Sequence, residues 1–205
     1  MLFTLLGNII PKSRLERKEM TRETMKTLYF TGYRNYELGV FQAKDPKIAV
    51  IKKVIMSALT NYVEEGLEWL LISGNLGAEL WCAEVIEQLK QTYPELKLGI
   101  IFPFEGFGEN WNETNQQALQ TAKSFADYVN ATSHKPYQDP SQLRNHTAFL
   151  LEHTEGALVL YDDEFPGKPN YFLRDAKAYS EQNPYFIHQI TMDDLQNATF
   201  DSNLL

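Results

Sequence analysis

Residues 69–81 read Trp69-Leu70-Leu71-Ile72-Ser73-Gly74-Asn75-Leu76-Gly77-Ala78-Glu79-Leu80-Trp81, and this stretch decides the fold. The first part is almost continuously apolar, which is typical of a β-strand covered on both faces of its sheet. Two glycines follow, and they permit a tight turn. Residues 78–92 then have the apolar spacing of a helix that ends before Pro94. The stretch therefore predicts a buried strand, a glycine loop and a helix in succession.

The same alternation continues along the chain from residue 26. Short apolar or aromatic runs predict strands at residues 27–31, 69–73, 98–102, 128–131, 157–161 and 185–190. Helical spacing predicts helices at residues 46–63, 78–92, 112–126, 140–153 and 170–181, the first with Asp45 as its N-cap and Pro46 in its first turn. Right-handed crossovers between parallel strands then give an α/β fold. We expect a single Rossmann-like three-layer α/β/α domain with a mainly parallel, doubly wound sheet at residues 25–205, after an N-terminal extension of residues 1–24.

Composition narrows the class of protein. The chain of 205 residues has a net charge of −8, which disfavours general nucleic-acid binding because such binding gains affinity from Lys and Arg. Residues 2–10 are apolar but too few to span a bilayer, and they lack the flanks of a secretory signal. We therefore expect a cytoplasmic protein with no membrane partner. The sequence leaves a homo-oligomer open.

Metal and disulfide sites are not predicted. The single cysteine, Cys82, excludes an intrachain disulfide and a cysteine-built metal cluster, and its place in a helical pattern indicates a small buried residue. The four histidines have no spacing typical of zinc ligands. We therefore expect no metal ion and no certain cofactor.

The candidate ligand site lies where strands end. Ligands of doubly wound sheets bind at the carboxyl ends of the strands, near the point where strand order reverses. Gly74 and Gly77 could let the backbone approach a ligand, and the helix start after them suits a phosphate. A strand-to-helix turn that merely needs glycine is the alternative. Glu79 could bond a ribose hydroxyl, or it could simply be favoured at a helix N-terminus.

Other side chains share this edge. Arg34 follows the first strand, where its guanidinium could pair with phosphate, and Lys168 beside Gly167 is a second phosphate candidate. The alternative for both is an ordinary side chain that faces solvent. Ser73 could bond a phosphate or the backbone. Aromatic residues on these loops could stack on a base or cover the core: Tyr33, Tyr36, Phe104, Phe107 and Trp111.

Several of these stretches occur together in one order. They are Thr31-Gly32-Tyr33-Arg34 with Tyr36-Glu37-Leu38-Gly39, the loop from Ser73 to Trp81, Pro103-Phe104-Glu105 with Asn110-Trp111-Asn112, Leu151-Glu152-His153-Thr154-Glu155-Gly156-Ala157-Leu158 with Tyr161-Asp162, and Gly167-Lys168-Pro169. The combination resembles the YpsA family of Firmicutes, formerly a domain of unknown function. The resemblance covers about residues 26–195.

That family belongs to the SLOG superfamily, which is similar in fold to DNA-processing protein A and to the LOG phosphoribohydrolases. The resemblance implies a pocket for a nucleotide-derived ligand, of the ADP-ribose or NAD type, and a link to bacterial cell division. LOG hydrolases carry a Pro-Gly-Gly-x-Gly-Thr-x-x-Glu motif. Aligning its last glycine on Gly77 puts Trp81 where the glutamate belongs, and Glu79 falls two residues away. The match therefore does not predict the hydrolase activity.

Three functions stay open at this point. The leading hypothesis is a nucleotide-binding sensor, linked to division or stress, with a division protein as partner. The alternatives are a nucleotide N-glycosidase, with Glu79 or Glu84 as general acid/base, and a single-stranded DNA-binding module. The residues expected to bind the ligand are Thr31, Gly32, Tyr33, Arg34, Ser73, Gly74, Asn75, Gly77, Glu79, Trp81, Phe104, Trp111, Gly167 and Lys168, with Glu79 as the candidate catalytic residue.

Overall fold

The computed structural model describes residues 25–202 as six strands alternating with six helices. The predicted extension of residues 1–24 lies outside the described residues. A short 3-10 turn, Asn35–Leu38, follows the first strand. The elements are β1 (Thr27–Gly32), α1 (Pro46–Glu64), β2 (Trp69–Ile72), α2 (Ala78–Lys90), β3 (Lys97–Phe102), α3 (Glu113–Phe125), β4 (Tyr128–Ala131), α4 (Ser141–His153), β5 (Gly156–Leu160), α5 (Pro169–Ser180), β6 (Phe186–Ile190) and α6 (Met192–Ser202).

The six strands form one sheet in the order β4-β3-β2-β1-β5-β6, and every neighbouring pair is parallel. The chain steps outward from β1 to β4 and then crosses back to β5 on the other side of β1, so strand order reverses between β1 and β5. Right-handed crossovers in opposite directions place α1, α2 and α3 on one face and α4 and α5 on the other. Helix α6 packs on α1. The predicted α/β three-layer fold is confirmed.

Local sequence explains why these elements form. Asp45 caps α1 by accepting a hydrogen bond from the backbone N–H of Lys47 at 2.9 Å, and Pro46 occupies the first turn, as predicted. The strands β1 and β5 are buried along their whole length, which fits their places inside the sheet, each with a neighbouring strand on both sides. Cys82 is buried in α2, and burial raises the pKa of its thiol well above the usual value. Within residues 25–202, no helix is long and apolar enough to cross a membrane.

Candidate functional site

Glu79 lies at the centre of the glycine loop and is fully buried. Its Oε1 accepts hydrogen bonds from the hydroxyl of Thr31 at 2.7 Å and from the side-chain amide of Asn75 at 3.0 Å. Its Oε2 accepts from the backbone N–H groups of Ser73 at 2.9 Å and Asn75 at 3.0 Å. The carboxylate of Glu79 therefore takes the loop N–H groups that a phosphate would need, and it fastens the loop to β1.

Arg34 lies over the end of β1, next to this carboxylate. Its Nη1 donates to the carbonyl of Gly32 at 3.1 Å and stands 3.8 Å from Oε1 of Glu79. The Arg34 side chain is 20% exposed. Among residues 25–202, no acceptor bonds its Nε or Nη2, so these donors stay available to an anion. The positive charge also offsets the cost of burying the Glu79 carboxylate.

The two glycines of the loop are required by packing within the protein. Gly74 has φ +78°, and a Cβ there would stand 2.6 Å from the ring of Phe102. Gly77 has φ +91°, and a Cβ there would stand 2.7 Å from the carbonyl oxygen of Tyr33. The N–H of Ala78 donates to that same oxygen at 3.1 Å. The loop backbone therefore makes its close approach to the turn after β1 and to β3. This agrees with the alternative interpretation, in which the strand-to-helix turn merely needs glycine.

Ser73 is part of a second, buried polar group under the loop. Its hydroxyl is 2.8 Å from the Tyr29 hydroxyl and 3.4 Å from Nε2 of His146. The same Nε2 is 2.8 Å from the carbonyl oxygen of Ile101. Burial raises the pKa of Tyr29 and lowers the pKa of His146 to about 4, so both are uncharged at neutral pH. Sequence reasoning missed His146, because a lone histidine on a helix gives no signal of contacts made 45 residues away.

Tyr33 joins the loop after β1 to the loop after β5. Its hydroxyl accepts from the N–H of Asp162 at 2.9 Å and donates to the carbonyl oxygen of Phe165 at 2.6 Å. Burial raises the pKa of Tyr33 to about 12. Tyr33 therefore spans the point where strand order reverses, while its backbone contacts the glycine loop.

Gly167 and Lys168 pack against the same turn. A Cβ on Gly167 would stand 2.7 Å from the ring of Tyr33. The backbone N–H of Lys168 donates to Oε1 of Glu37 at 2.7 Å, and Oε2 of Glu37 accepts from the N–H of Arg34 at 2.7 Å. Glu37 thus ties the two loops together through backbone groups, and the Lys168 side chain is exposed.

A cavity of about 600 Å³ opens beside this junction. Its walls are the turn after β1, the first turns of α1, the loop after β5 and one side of α6. It therefore lies at the crevice between the carboxyl ends of β1 and β5, where doubly wound sheets bind ligands. The lining residues include Tyr33, Glu37, Lys47, Val50, Phe165 and Leu195. Of the residues predicted to bind the ligand, only Tyr33 lines it.

The aromatic residues after β3 form one cluster. The Phe107 ring centroid lies 5.4 Å from those of Phe104 and Trp111, and 5.6 Å from that of Phe102. Tyr137 extends the cluster, with its ring centroid 5.2 Å from that of Phe104. The predicted residues Phe104 and Trp111 therefore pack over the end of β3, next to Gly74 through Phe102. Trp81 is separate from them and packs, partly buried, against the core.

The remaining catalytic candidate, Glu84, lies away from the loop. Its carboxylate pairs with Nζ of Lys52 at 2.5 Å, which links α2 to α1. Within the described part of the chain, no three His, Cys, Asp or Glu side chains are grouped to hold a metal ion.

Comparison with known proteins identifies the family. The model of the YpsA family, described as the YspA SLOG family, matches residues 28–195. A UPF0398 protein of Enterococcus faecalis is 60% identical over 179 residues, 87% of this chain and 99% of that protein. A UPF0398 protein of Bacillus velezensis is 45% identical over 174 residues, 85% of this chain and 96% of that protein.

Among solved structures, the chain is similar to DNA processing protein A from Helicobacter pylori, which is described as binding single-stranded DNA. The TM-score is 0.49 and the sequence identity is 11%, over 97% of this chain and 84% of that one. The family match and the curated relatives each span most of the chain, in agreement with the motifs. The chain belongs to the YpsA family of SLOG proteins.

Proposed function

We propose that the chain binds a nucleotide-derived small molecule, of the ADP-ribose or NAD type, at the carboxyl edge of its sheet. The observation that carries the proposal is Arg34. This side chain is four-fifths buried where the strand ends, and no described residue bonds its Nε and Nη2. A guanidinium with free donors in such a place suits the phosphate or the carboxylate of a ligand.

The surroundings of Arg34 support the same function. The cavity of about 600 Å³ at the reversal of strand order is within the size range of small-molecule pockets, about 300–1,000 Å³. The resemblance to SLOG proteins implies a nucleotide derivative in particular. The glycine loop itself contributes position more than phosphate contacts, because Glu79 takes the N–H groups of Ser73 and Asn75.

Binding without turnover fits the geometry better than hydrolysis. The carboxylate of Glu79 is fully buried and accepts four hydrogen bonds, so it holds the loop and does not face a substrate bond. Glu84 pairs with Lys52 on the helical face. We therefore propose a ligand sensor that acts in the cytoplasm and reports its bound state to a division or stress protein.

A thermal-shift panel tests the proposal on the full chain, with ADP-ribose, NAD, AMP, ADP, ATP, cyclic nucleotides and a single-stranded oligonucleotide. A ligand at about 100 times its dissociation constant should stabilise the fold by about 2.7 kcal/mol, which raises Tm by about 5–10 °C. Arg34→Met should weaken the response at least about tenfold in affinity, since it removes charge-assisted hydrogen bonds. Arg174→Met is the control, because Arg174 is 70% exposed on α5.

Each outcome decides between functions. A response to a mononucleotide or dinucleotide that depends on Arg34 supports the proposal. Release of free base from the responding ligand would replace it with the glycosidase, and a salt-sensitive response to the oligonucleotide alone would replace it with the DNA-binding module. No response to any nucleotide at millimolar concentration from folded protein contradicts it.

A further inference from the structure

We propose that the cavity between α1 and α6 is the pocket for the uncharged base of the ligand, and that the anionic part of the ligand binds outside it, at Arg34. This inference rests on the proposed function and adds to it which chemical group each half of the site takes. The cavity and Arg34 share the turn after β1. Glu37 lines the cavity, and its carboxylate accepts a hydrogen bond from the backbone N–H of Arg34 at 2.7 Å.

The walls of the cavity favour a flat apolar group. Helix α1 contributes Val50 and Ile51, helix α6 contributes Met192 and Leu195, and the loop after β5 contributes Phe165. Phe165 is 53% exposed, so its ring borders the solvent side of the cavity. A planar base placed between aliphatic and aromatic side chains of this kind buries apolar surface on both of its faces.

The polar groups at the turn are already used by the protein. Both oxygens of Glu37 accept from backbone N–H groups. Nζ of Lys47 donates to the carbonyls of Leu38 and Gly39, at 2.7 and 3.3 Å. Glu164 adds a further carboxylate to the lining. The lining therefore carries two carboxylates, and its one ammonium group, on Lys47, already bonds backbone carbonyls. Such a lining repels a phosphate, so we infer an uncharged occupant.

Gln196 supplies the recognition group for such an occupant. It lines the cavity from α6, and no residue in the described range bonds its side-chain amide. An amide donates and accepts hydrogen bonds at once, which matches the paired donor and acceptor on the edge of adenine. Gln196 is exposed, so its amide would meet the ligand edge on the solvent side of the cavity, next to the apolar walls. The geometry therefore points to an adenine-type base.

Two probes separate the halves of the site: adenosine, which carries the base without phosphate, and ribose 5-phosphate, which carries phosphate without the base. Their affinities are measured by calorimetry on the full chain. Val50→Phe fills the cavity. It should weaken the binding of adenosine at least tenfold and leave the affinity for ribose 5-phosphate unchanged. Arg34→Met should do the reverse. Ala49→Phe is the control, because Ala49 is exposed on the same helix and does not line the cavity.

A second pair of variants keeps the test valid if Val50→Phe fails to fold. Phe165→Ala removes a wall and should weaken adenosine, whereas Tyr171→Ala, at a 67% exposed aromatic residue outside the cavity, should not. Wild-type adenosine affinity in the folded cavity variants, or no adenosine binding at millimolar concentration, overturns the base pocket. If ADP-ribose still binds through Arg34 in that case, the proposed function stands. If no nucleotide binds at all, both fail.

Discussion

Gly77 lies directly against the backbone of Tyr33. A Cβ atom on Gly77 would stand 2.7 Å from the Tyr33 carbonyl oxygen and 2.8 Å from the carbonyl carbon of Arg34. The N–H of Ala78 donates to the same Tyr33 oxygen at 3.1 Å. The glycine loop after β2 and the turn after β1 are therefore one packed unit, and the Tyr33 side chain extends that unit to the loop after β5.

Replacing Gly77 should separate these loops. Gly77 has φ +91° and ψ −129°, a region that only glycine adopts readily, and the added methyl group meets backbone atoms that cannot rotate away. Gly77→Ala should therefore lower the free energy of unfolding by at least about 3 kcal/mol, measured by urea denaturation.

Gly39→Ala is the matched control for that variant. Gly39 also has a positive φ, +62°, but the nearest atom to an added Cβ is Nζ of Lys47 at 3.5 Å. Gly39→Ala should lower the free energy of unfolding by only about 1 kcal/mol, which is the cost of placing alanine at a positive φ. Equal losses in the two variants would show that the contact with Tyr33 does not matter.

Glu79→Gln should destabilise the protein strongly. The amide that replaces one oxygen would face hydrogen-bond donors of Thr31, Ser73 or Asn75, and Arg34 would lose its buried counter-charge. We expect a loss of about 2–4 kcal/mol in urea denaturation. Glu84→Gln is the control: it weakens only a partly exposed ion pair with Lys52, at a cost of about 1 kcal/mol or less. If Glu79→Gln proved as stable as Glu84→Gln, the structural role of Glu79 would be wrong.

His146 should make stability depend on pH. Burial lowers its pKa from 6.5 to about 4 in the folded state, so between these values the unfolded chain binds a proton that the folded chain does not. Stability is therefore full above pH 6.5 and falls as the pH drops towards 4, by about 3 kcal/mol from this residue.

The variant His146→Gln should flatten that pH profile. An amide can still donate to the Ile101 carbonyl, which keeps the bond that His146 makes, but it does not titrate. The free energy of unfolding is measured by urea denaturation at steps from pH 7 to pH 4. His134→Gln, at an exposed residue, should keep the wild-type slope. A wild-type slope in His146→Gln would contradict the assignment.

Tyr33→Phe should loosen the junction between the loops after β1 and β5. The variant leaves the N–H of Asp162 and the carbonyl oxygen of Phe165 without the hydroxyl partner that they have at 2.9 and 2.6 Å. We expect a loss of about 1–2 kcal/mol and faster amide exchange at Asp162, seen by hydrogen–deuterium exchange. Tyr171→Phe, at an exposed ring, should change neither quantity.

Most strands and helices can be predicted from the sequence, because apolar runs and helix caps are formed by neighbouring residues. The apolar run at Trp69–Ile72 and the cap at Asp45 both give the right element within a residue or two. Helix α6 is not predicted, since it carries few apolar residues; in the structure it packs on α1, and Met192 and Leu195 pack against the core. The turn at Asn35–Leu38 is not predicted either, because Glu37 within it bonds a distant loop.

The candidate site is less predictable for the same reason. The sequence marks Glu79 and Arg34, and the structure brings them to 3.8 Å. It does not reveal that the Glu79 carboxylate closes on its own loop, nor that α6 and the loop after β5 form walls of the cavity. These arrangements depend on side chains from separate strands, for which spacing along the chain gives no distance.

Calorimetric titration of ADP-ribose into the full chain, beside Arg34→Met, is the most direct test of the central claim. We predict saturable binding of one ligand per chain, with affinity at least tenfold weaker in Arg34→Met and unchanged in Arg174→Met. No heat of binding at millimolar ADP-ribose, or equal affinity in wild type and Arg34→Met, would contradict it.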